Sequence, residues 1–469
     1  MADNVGKGDS ATTSSVRCPR RHYFAHRRRK IKRGRDPRKD IDLISSLPDE
    51  ILQVILSFIS TKLAITTSVL SRRWRHIWCN TPSLSFSDNC NLDPSSVDKI
   101  LSRYTARKMM SFKLCIRSLD YHYLCSWVKF AMYRNVENLW LEHRLCDMPD
   151  FFYNNSSVKQ LYVKSKHACI NPRCSVSWTS LKILTLYACN LKDKSFAKII
   201  SGSPLLETLR LYHCDELHHL DLSKSPRLKT LEIDSKDWLK GTRIDAPHLQ
   251  YLRLRLTNSM FPYTLVDVSS LTEAEIDTDA SSDPIKIVDH CLQTLEKLQN
   301  VEKLTFGERF LEILSRAELL GYPSPKLKAK VLTLKTTISQ YVISGIVRLL
   351  QHSPELKKLT LRTMDCDAIQ GYADNYLDSY TWIPYRCSES LVFGDIKSRD
   401  VETKHVALFM ELVLKTTKTL EKMVVRLGPY RSERGIKELR QKVPMLSHDK
   451  DVSIVLIATK RWIRESSKW

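Results

Sequence analysis

The sequence predicts an α/β protein in which a small helical segment precedes a repeat solenoid built on a curved parallel sheet, and an α/β segment caps the far end. Three observations predict it. An apolar ladder recurs from Val136 to Leu361 in ten copies, spaced 21 to 30 residues apart, a period at which each copy is one supersecondary unit. Before it, Ile51 to Ile59 holds only Gln53 and Ser57 as non-apolar residues, so a helix there is hydrophobic almost all round and needs cover on more than one side. After it, the spacing breaks and short apolar runs close the chain. The 469 residues and 42% hydrophobic content suit a modular or elongated architecture with a sizeable core. Its parts are expected at residues 1–40, 41–88, 89–379 and 380–469.

The first part mixes Gly, Ser, Thr and charges with almost no aliphatic periodicity, so it cannot offset the entropy of folding and is expected to be disordered. The net charge of +22 invites a nucleic-acid reading. Half of it, however, lies in Arg17–Lys39, with twelve Lys or Arg against one Asp. That distribution describes a basic tail on a mildly basic body rather than a basic binding face, so nucleic acid is disfavoured as the partner. Arg27, Arg28, Arg29, Lys30, Lys32 and Arg33 have the density of a nuclear import signal; a polyanion-binding arm and a plain solvated charge run are the alternatives. The amino terminus lacks the order of a secretory signal, and no run approaches the ~18 apolar residues of a membrane span. A soluble protein of nucleus or cytoplasm is expected. Thirteen scattered cysteines, an odd number, point to reduced thiols. His167, Cys169 and Cys174 lie close in sequence without a second ligand pair at zinc-finger spacing, so neither metal nor other cofactor is expected.

In the second part, Ser46 and Asp49 have capping-box spacing and Pro48 sits where a missing amide costs little, which starts the helix. Leu70, Trp74, Ile77 and Trp78 repeat at helical spacing and supply one cover for it. About forty residues cannot bury both faces alone, so the remainder reads as a docking surface for helices of another chain; the alternative is the buried start of a larger helical core. The segment resembles the F-box of plant F-box proteins, with Leu47-Pro48, Glu50-Ile51-Leu52, the block Val54 to Phe58 and the run Ser68 to Arg75 all in order. The resemblance implies a Skp-type adaptor as partner and, through it, a cullin-RING ubiquitin ligase. On the same resemblance the adaptor is docked by Leu47, Pro48, Ile51, Leu52, Ile55, Leu56, Leu70 and Trp74. Members of the family usually carry proline in the turn after the first helix, where this chain has Ser60, so a looser turn is expected.

The repeat is clearest in Leu181-x-x-Leu184-x-Leu186-x-x-Cys189-x-Leu191. Taking its third apolar residue as a marker, copies fall at Leu141, Val163, Leu186, Leu211, Ile233, Leu254, Ile276, Phe306, Leu334 and Leu361. This is the period of leucine-rich repeats. One unit cannot bury its ladder, but stacked units form a continuous core and a parallel sheet along the concave face. Cys189 and Cys214 stand three residues after their markers, where this repeat buries Asn or Cys against turn backbone, so a structural role is expected of both. The stretch Thr278 to Pro284 reads as a loop. Neighbours of each marker point to the opposite face, which assembles Trp140, Tyr162, Tyr187, Arg210, Tyr212, Arg253 and Arg255 on one surface. Tyr187 and Tyr212 share an offset and are expected one strand spacing apart. Aromatics and arginines dominate interface energetics, and mixed charge favours a protein target over a uniform polyanion; ordinary solvated strand residues are the alternative.

The last part has its own character. Trp382, Pro384, Cys387-x-x-x-Leu391, the runs Leu412 to Lys415 and Leu420 to Val425, and Val452 to Ile457 are similar to the FBD module that often closes plant F-box/LRR proteins, although Phe393 to Glu402 departs from its pattern. A helix from about His405 to Thr417, a strand, a loop and a second strand are expected to cap the solenoid.

No catalytic motif appears. Gly6-Lys7-Gly8 lies at the terminus without a preceding strand, and G-x-S-x-G, H-E-x-x-H and paired C-x-x-C are missing, which argues against an enzyme. His218-His219 reads as a surface pair in a return segment. The F-box resemblance implies a substrate-recruiting subunit that binds its adaptor through the helices and an unknown target protein through the repeats. A nuclear nucleic-acid binder using the basic arm and a small-ligand receptor remain as alternatives; the latter requires a pocket, which a glycine-poor solenoid does not advertise.

Overall fold

One apolar column sets the architecture. Phe86, Leu114, Leu141, Val163, Leu186, Leu211, Ile233, Leu254, Ile276, Phe306, Leu334, Leu361, Val425 and Leu456 are successive register partners on neighbouring parallel strands. All ten expected markers stand in it, with two positions before them and two after. The computed structural model describes residues 44, 46–87, 93–115, 121–144, 148–166, 170–214, 216–235, 242–259, 263–280, 284–336, 338, 340–363, 403–427, 433–447 and 452–458. The cluster Arg27, Arg28, Arg29, Lys30, Lys32 and Arg33, the residues His167 and Cys169, and the run from Trp382 to Leu391 lie outside them. The chain divides into two units, Met1–Pro48 and Asp49–Trp469. In the first, the Leu47 amide donates to the Ile44 carbonyl at 3.2 Å.

The second unit opens with helices α1 (Asp49–Ser57), α2 (Thr61–Thr66) and α3 (Trp74–Ile77). There follow β1 (Ser83–Ser87), α4 (Pro94–Arg103), β2 (Ser111–Cys115), α5 (Tyr121–Tyr133), β3 (Asn138–Arg144), α6 (Asp150–Tyr153), β4 (Gln160–Lys166), β5 (Ile183–Tyr187), α7 (Asp193–Ser201) and β6 (Thr208–Tyr212). Next come β7 (His219–Asp221), β8 (Thr230–Ser235), β9 (Arg243–Asp245), β10 (Tyr251–Ser259), β11 (Thr264–Leu265) and β12 (Glu273–Ala280). The chain then runs through α8 (Pro284–Lys297), β13 (Lys303–Gly307), α9 (Glu308–Leu319), β14 (Val331–Lys335), α10 (Gln340–Gln351), β15 (Lys358–Thr363), α11 (Thr403–Thr416), β16 (Lys422–Leu427), α12 (Glu433–Ser447) and β17 (Ser453–Ala458).

Fourteen strands form one parallel sheet in the order β1-β2-β3-β4-β5-β6-β8-β10-β12-β13-β14-β15-β16-β17, and β11-β9-β7 form a second, three-stranded sheet. The length of each return segment selects its structure. Between Leu211 and Ile276, where markers are 21 or 22 residues apart, the described residues of the return form the short strands β7, β9 and β11 and no helix. Where they are 27 to 30 apart, there is room for a return helix such as α5, α8, α9 or α10. Strand parity does the rest: side chains on the marker side alternate with less buried ones, as in β6 and β14, where half-buried and buried residues take turns, because successive Cβ atoms point to opposite faces.

The turn after the marker explains the buried cysteines. Ala188 and His213, each two residues past its marker, adopt φ of 54° and still donate their amides to the Tyr212 and Asp234 carbonyls at 2.7 Å. The next residue turns inward. Cys189 Sγ lies 3.6 Å from the Val163 carbonyl and Cys214 Sγ 3.7 Å from that of Leu186, each thiol donating to the preceding repeat. Burial pushes the Cys189 thiol up to about 12, which leaves it an unreactive structural group.

Four expectations are corrected. The sheet begins at β1, inside the segment 41–88, and β2 also precedes the first expected repeat. Thr278 belongs to β12 and Pro284 opens α8, so neither is loop. The terminal segment forms β16 and β17 of the same sheet, and helix α12 stands where a loop was expected. Ser60 is not a loose turn: with φ −62° and ψ 148° it caps α2, its side chain accepting from the Leu63 amide at 3.4 Å.

Candidate functional site

Two surfaces of the second unit carry exposed groups that its own packing does not require. The first is the outer side of the helical segment. Leu52 and Leu56, at i and i+4 on α1, are buried, as are Ala64, Trp74, Ile77 and Trp78. Asp49 closes this layer by accepting from Arg73, Nε to Oδ1 at 2.7 Å. The layer is tied to the first repeats: Ser85 donates its amide to Thr61 Oγ1 at 2.7 Å, the Tyr104 hydroxyl donates to the Thr81 carbonyl at 2.7 Å, and Thr105 donates its amide to the Cys79 carbonyl at 2.9 Å. Burial pushes the Tyr104 hydroxyl up to about 12, so it stays a donor.

Inner positions being filled, the remaining apolar side chains of α1 stay in solvent. Ile51, Val54 and Ile55 are exposed, and Phe58 is 81% exposed. Ile59 and Leu63 adjoin them in sequence, and beyond α2 Val69 and Leu70 are 87% and 66% exposed. Of the residues expected to dock an adaptor, Ile51, Ile55, Leu70 and Pro48 are exposed and Leu47 is half-buried. Leu52, Leu56 and Trp74 are a correction, because they fill this chain's own core. Leu70 is a second one: it faces solvent and gives α1 no cover. Val54, Phe58, Leu63 and Val69 are exposed beside them and stand outside that expected set. Splitting the apolar run by helical angle, 52 and 56 against 51, 54, 55 and 58, finds Val54 and Phe58.

The second surface is the sheet face opposite the apolar column, here the open face. Trp140 and Tyr162 on β3 and β4 stack, ring centroids 3.5 Å apart at 13°, and Lys113 Nζ lies 4.7 Å from the Trp140 ring centre. The Trp140 indole N–H is buried without an acceptor among the described residues. Lys164 pairs with Glu142 at 2.8 Å and reaches over Tyr187 at 5.1 Å. Tyr187 and Tyr212 are register partners, centroids 6.2 Å apart. From β6 to β12 the strands alternate in charge: Arg210, then Glu232 and Asp234, then Arg253 and Arg255, then Glu275 and Asp277. Glu232 accepts from Arg210 Nε and from the Tyr212 hydroxyl, both at 2.9 Å. Arg253 Nε lies 3.3 Å from Glu275, close enough for ion pairing but not aligned for a hydrogen bond. Arg255 lies 3.8 Å from Asp234 and 3.9 Å from Asp277. Burial raises the Asp277 carboxyl above its usual range, against the pull of Arg255.

These side chains border a groove of about 1060 Å³ lined by Lys113, Trp140, Tyr162, Tyr187, Arg210, Tyr212 and Arg253 among others. A pocket that the glycine-poor sequence did not advertise is therefore present. It runs across the open face from β2 to β10 and is lined by side chains of those strands, none of them glycine. Six of the seven residues expected on the target surface line it; Arg255 is exposed outside it. Among the described residues no group of three or more His, Cys, Asp or Glu is arranged to hold a metal ion, and no helix is long and apolar enough to cross a membrane. Cys174 donates to the Asp150 carbonyl at 3.7 Å. The backbone amides of His218 and His219 both donate to Asp193 Oδ1, at 2.8 and 3.3 Å.

Comparison with known proteins gives two family matches along the chain. Residues 44–86 match the F-box domain model, and residues 101–449 match the model described as At1g61320/AtMIF1, LRR domain. The chain is 51% identical to F-box/LRR-repeat protein At3g03360 of Arabidopsis thaliana over 90% of its own length and 92% of the relative's. It is 48% identical to F-box/LRR-repeat protein At5g02910 of the same plant, over 89% and 95%.

Proposed function

The chain belongs to the F-box/LRR-repeat protein family, and on that premise we propose that it is the target-recruiting subunit of a Skp-cullin-RING ubiquitin ligase. The observation that carries the reading is the outer side of α1 and the residue that follows it, where Ile51, Val54, Ile55 and then Phe58 remain exposed after Leu52 and Leu56 have completed the inner core. Exposed apolar side chains grouped in this way favour a partner that covers them, and adaptor helices of matching apolar character would do so. Leu63, Val69 and Leu70 extend the same contact, and the adaptor also takes Leu47 and Pro48. The open face of the repeats then holds a target protein, and the subunit catalyses nothing itself. It raises the local concentration of target at the ligase.

The test is reconstitution with a purified Skp-type adaptor and cullin. Co-elution of the full chain with both supports the reading, and failure of the folded chain to bind the adaptor rejects it. The groove favours a second reading, because its volume matches that of small-molecule sites: a ligand-dependent receptor of the same ligase type. That reading requires target capture to depend on an added small molecule. Nuclear import through Arg27, Arg28, Arg29 and Lys30 is part of the first proposal, and imaging a tagged protein with these four changed to Ala tests it. Equal distribution of variant and parent would remove it.

A further inference from the structure

On the open face, cross-strand charges in most of the sheet are complementary. Glu142 and Lys164, Arg210 and Glu232, and Lys303 and Glu273 all pair across neighbouring strands. Strands β15 and β16 break this rule. Their register sets Lys358 against Lys422 and Arg362 against Arg426, all four exposed and all on the face opposite Leu359, Leu361, Met423 and Val425. None of the four has an ion pair among the described residues. Lys335, the register neighbour of Arg362 on β14, is instead held by Glu275 at 2.6 Å. Like charges directly opposite on adjacent strands are destabilising, so two such pairs in one place have a cost that an anion would remove.

We propose that β15 and β16 hold a short acidic segment of the recruited target protein, a proposal that rests on the reading of the open face as the target surface. The strands are ~4.8 Å apart, and four residues along a strand span ~13 Å, so the cations mark the corners of a narrow rectangle. An extended peptide lying along the strands with carboxylates at i and i+4 places one between the lysines and one between the arginines, where guanidinium groups bind carboxylate through paired hydrogen bonds. The uncharged Thr360 and Val424 lie between the two rows. A long uniform polyanion crossing the sheet fits less well, because Glu232, Asp234, Glu275 and Asp277 on β8 and β12 would repel it.

The experiment uses the full chain and a fluorescent ten-residue peptide with Glu at positions 3 and 7, with the Gln-substituted peptide as control. Fluorescence anisotropy should show binding of the Glu peptide only, weakened about tenfold or more by Arg362→Gln with Arg426→Gln, a loss of ~1.4 kcal/mol or more. Changing Arg27, Arg28, Arg29 and Lys30 to Ala should leave it unchanged. The thermal midpoint of the Arg362→Gln/Arg426→Gln variant should equal or exceed the parent's, since a repulsion is removed. Unchanged peptide binding in that variant, loss only in the tail variant, or preferential binding of a single-stranded oligonucleotide through the four cations would each overturn the proposal. Adaptor binding measured on the same samples separates the two claims: if it holds while the peptide result fails, only this proposal falls.

Discussion

The indole of Trp140 and the ring of Tyr162 lie face to face on adjacent strands, centroids 3.5 Å apart and 13° from parallel. With Lys113 over the other side of the indole, both faces of Trp140 are occupied within the chain. Tyr162→Ala should therefore lower stability by about 0.5–1.5 kcal/mol beyond the loss of buried area, read as a shift in the denaturation midpoint. No shift would show that the stack contributes only to partner binding.

Tyr187 and Tyr212 continue that aromatic strip. Changing both to Ala should abolish target capture while leaving adaptor binding and the thermal midpoint nearly unchanged. Glu232 would lose the Tyr212 hydroxyl but keep Arg210 at 2.9 Å. A marked drop in midpoint would give the tyrosines a structural role instead. Retained capture with an intact fold would move recognition to β14–β16.

Gly307 is held by space rather than backbone, with φ −83°. A Cβ there would lie 1.9 Å from Asp277 Oδ1. Gly307→Ala should cost about 1–3 kcal/mol by overpacking, and adding Asp277→Ala should restore only part of it, because the Asp277 Cβ still lies 2.7 Å from the new methyl. A double variant no more stable than Gly307→Ala would contradict this account.

Much of the solenoid was legible because one apolar column must repeat wherever the sheet adds a strand, and Leu141 to Ile276 kept that column at 21 to 25 residues, a run long enough to carry it across the wider spacings to Leu361. Phe86 and Leu114 belong to the same column but stand 28 and 27 residues before their successors. Their return segments hold α4 and α5, which hid the period. The α1 surface was legible only as a whole: composition showed an all-apolar helix but not that residues 52 and 56 turn inward. The alternating charges of β6 to β12 were visible residue by residue, yet their pairing depends on register. The cation pairs of β15 and β16 were hidden because β16 follows a long insertion.

Asp93 caps α4 by accepting from the Ser95 hydroxyl at 2.7 Å, the Ser96 hydroxyl at 2.8 Å and the Ser96 amide at 2.8 Å, which lower its carboxyl to about 2. A carboxyl lowered on folding stabilises above its unfolded value, ~3.9, and that stabilisation is lost as pH falls through about 2. Asp93→Asn keeps an acceptor at the cap but cannot titrate. The stability difference between parent and variant should therefore shrink as pH falls from about 4 toward about 2. A difference independent of pH over that window would contradict the assignment.

The central claim is that the outer side of α1 is an adaptor-docking surface, and calorimetric titration of a purified Skp-type adaptor into the full chain tests it most directly. Ile55→Ala with Phe58→Ala should weaken the complex by about 2 to 4 kcal/mol, the range for central interface anchors. The circular dichroism spectrum and thermal midpoint should stay the same, because both side chains are exposed. Parent-like affinity in a folded double variant would contradict the claim.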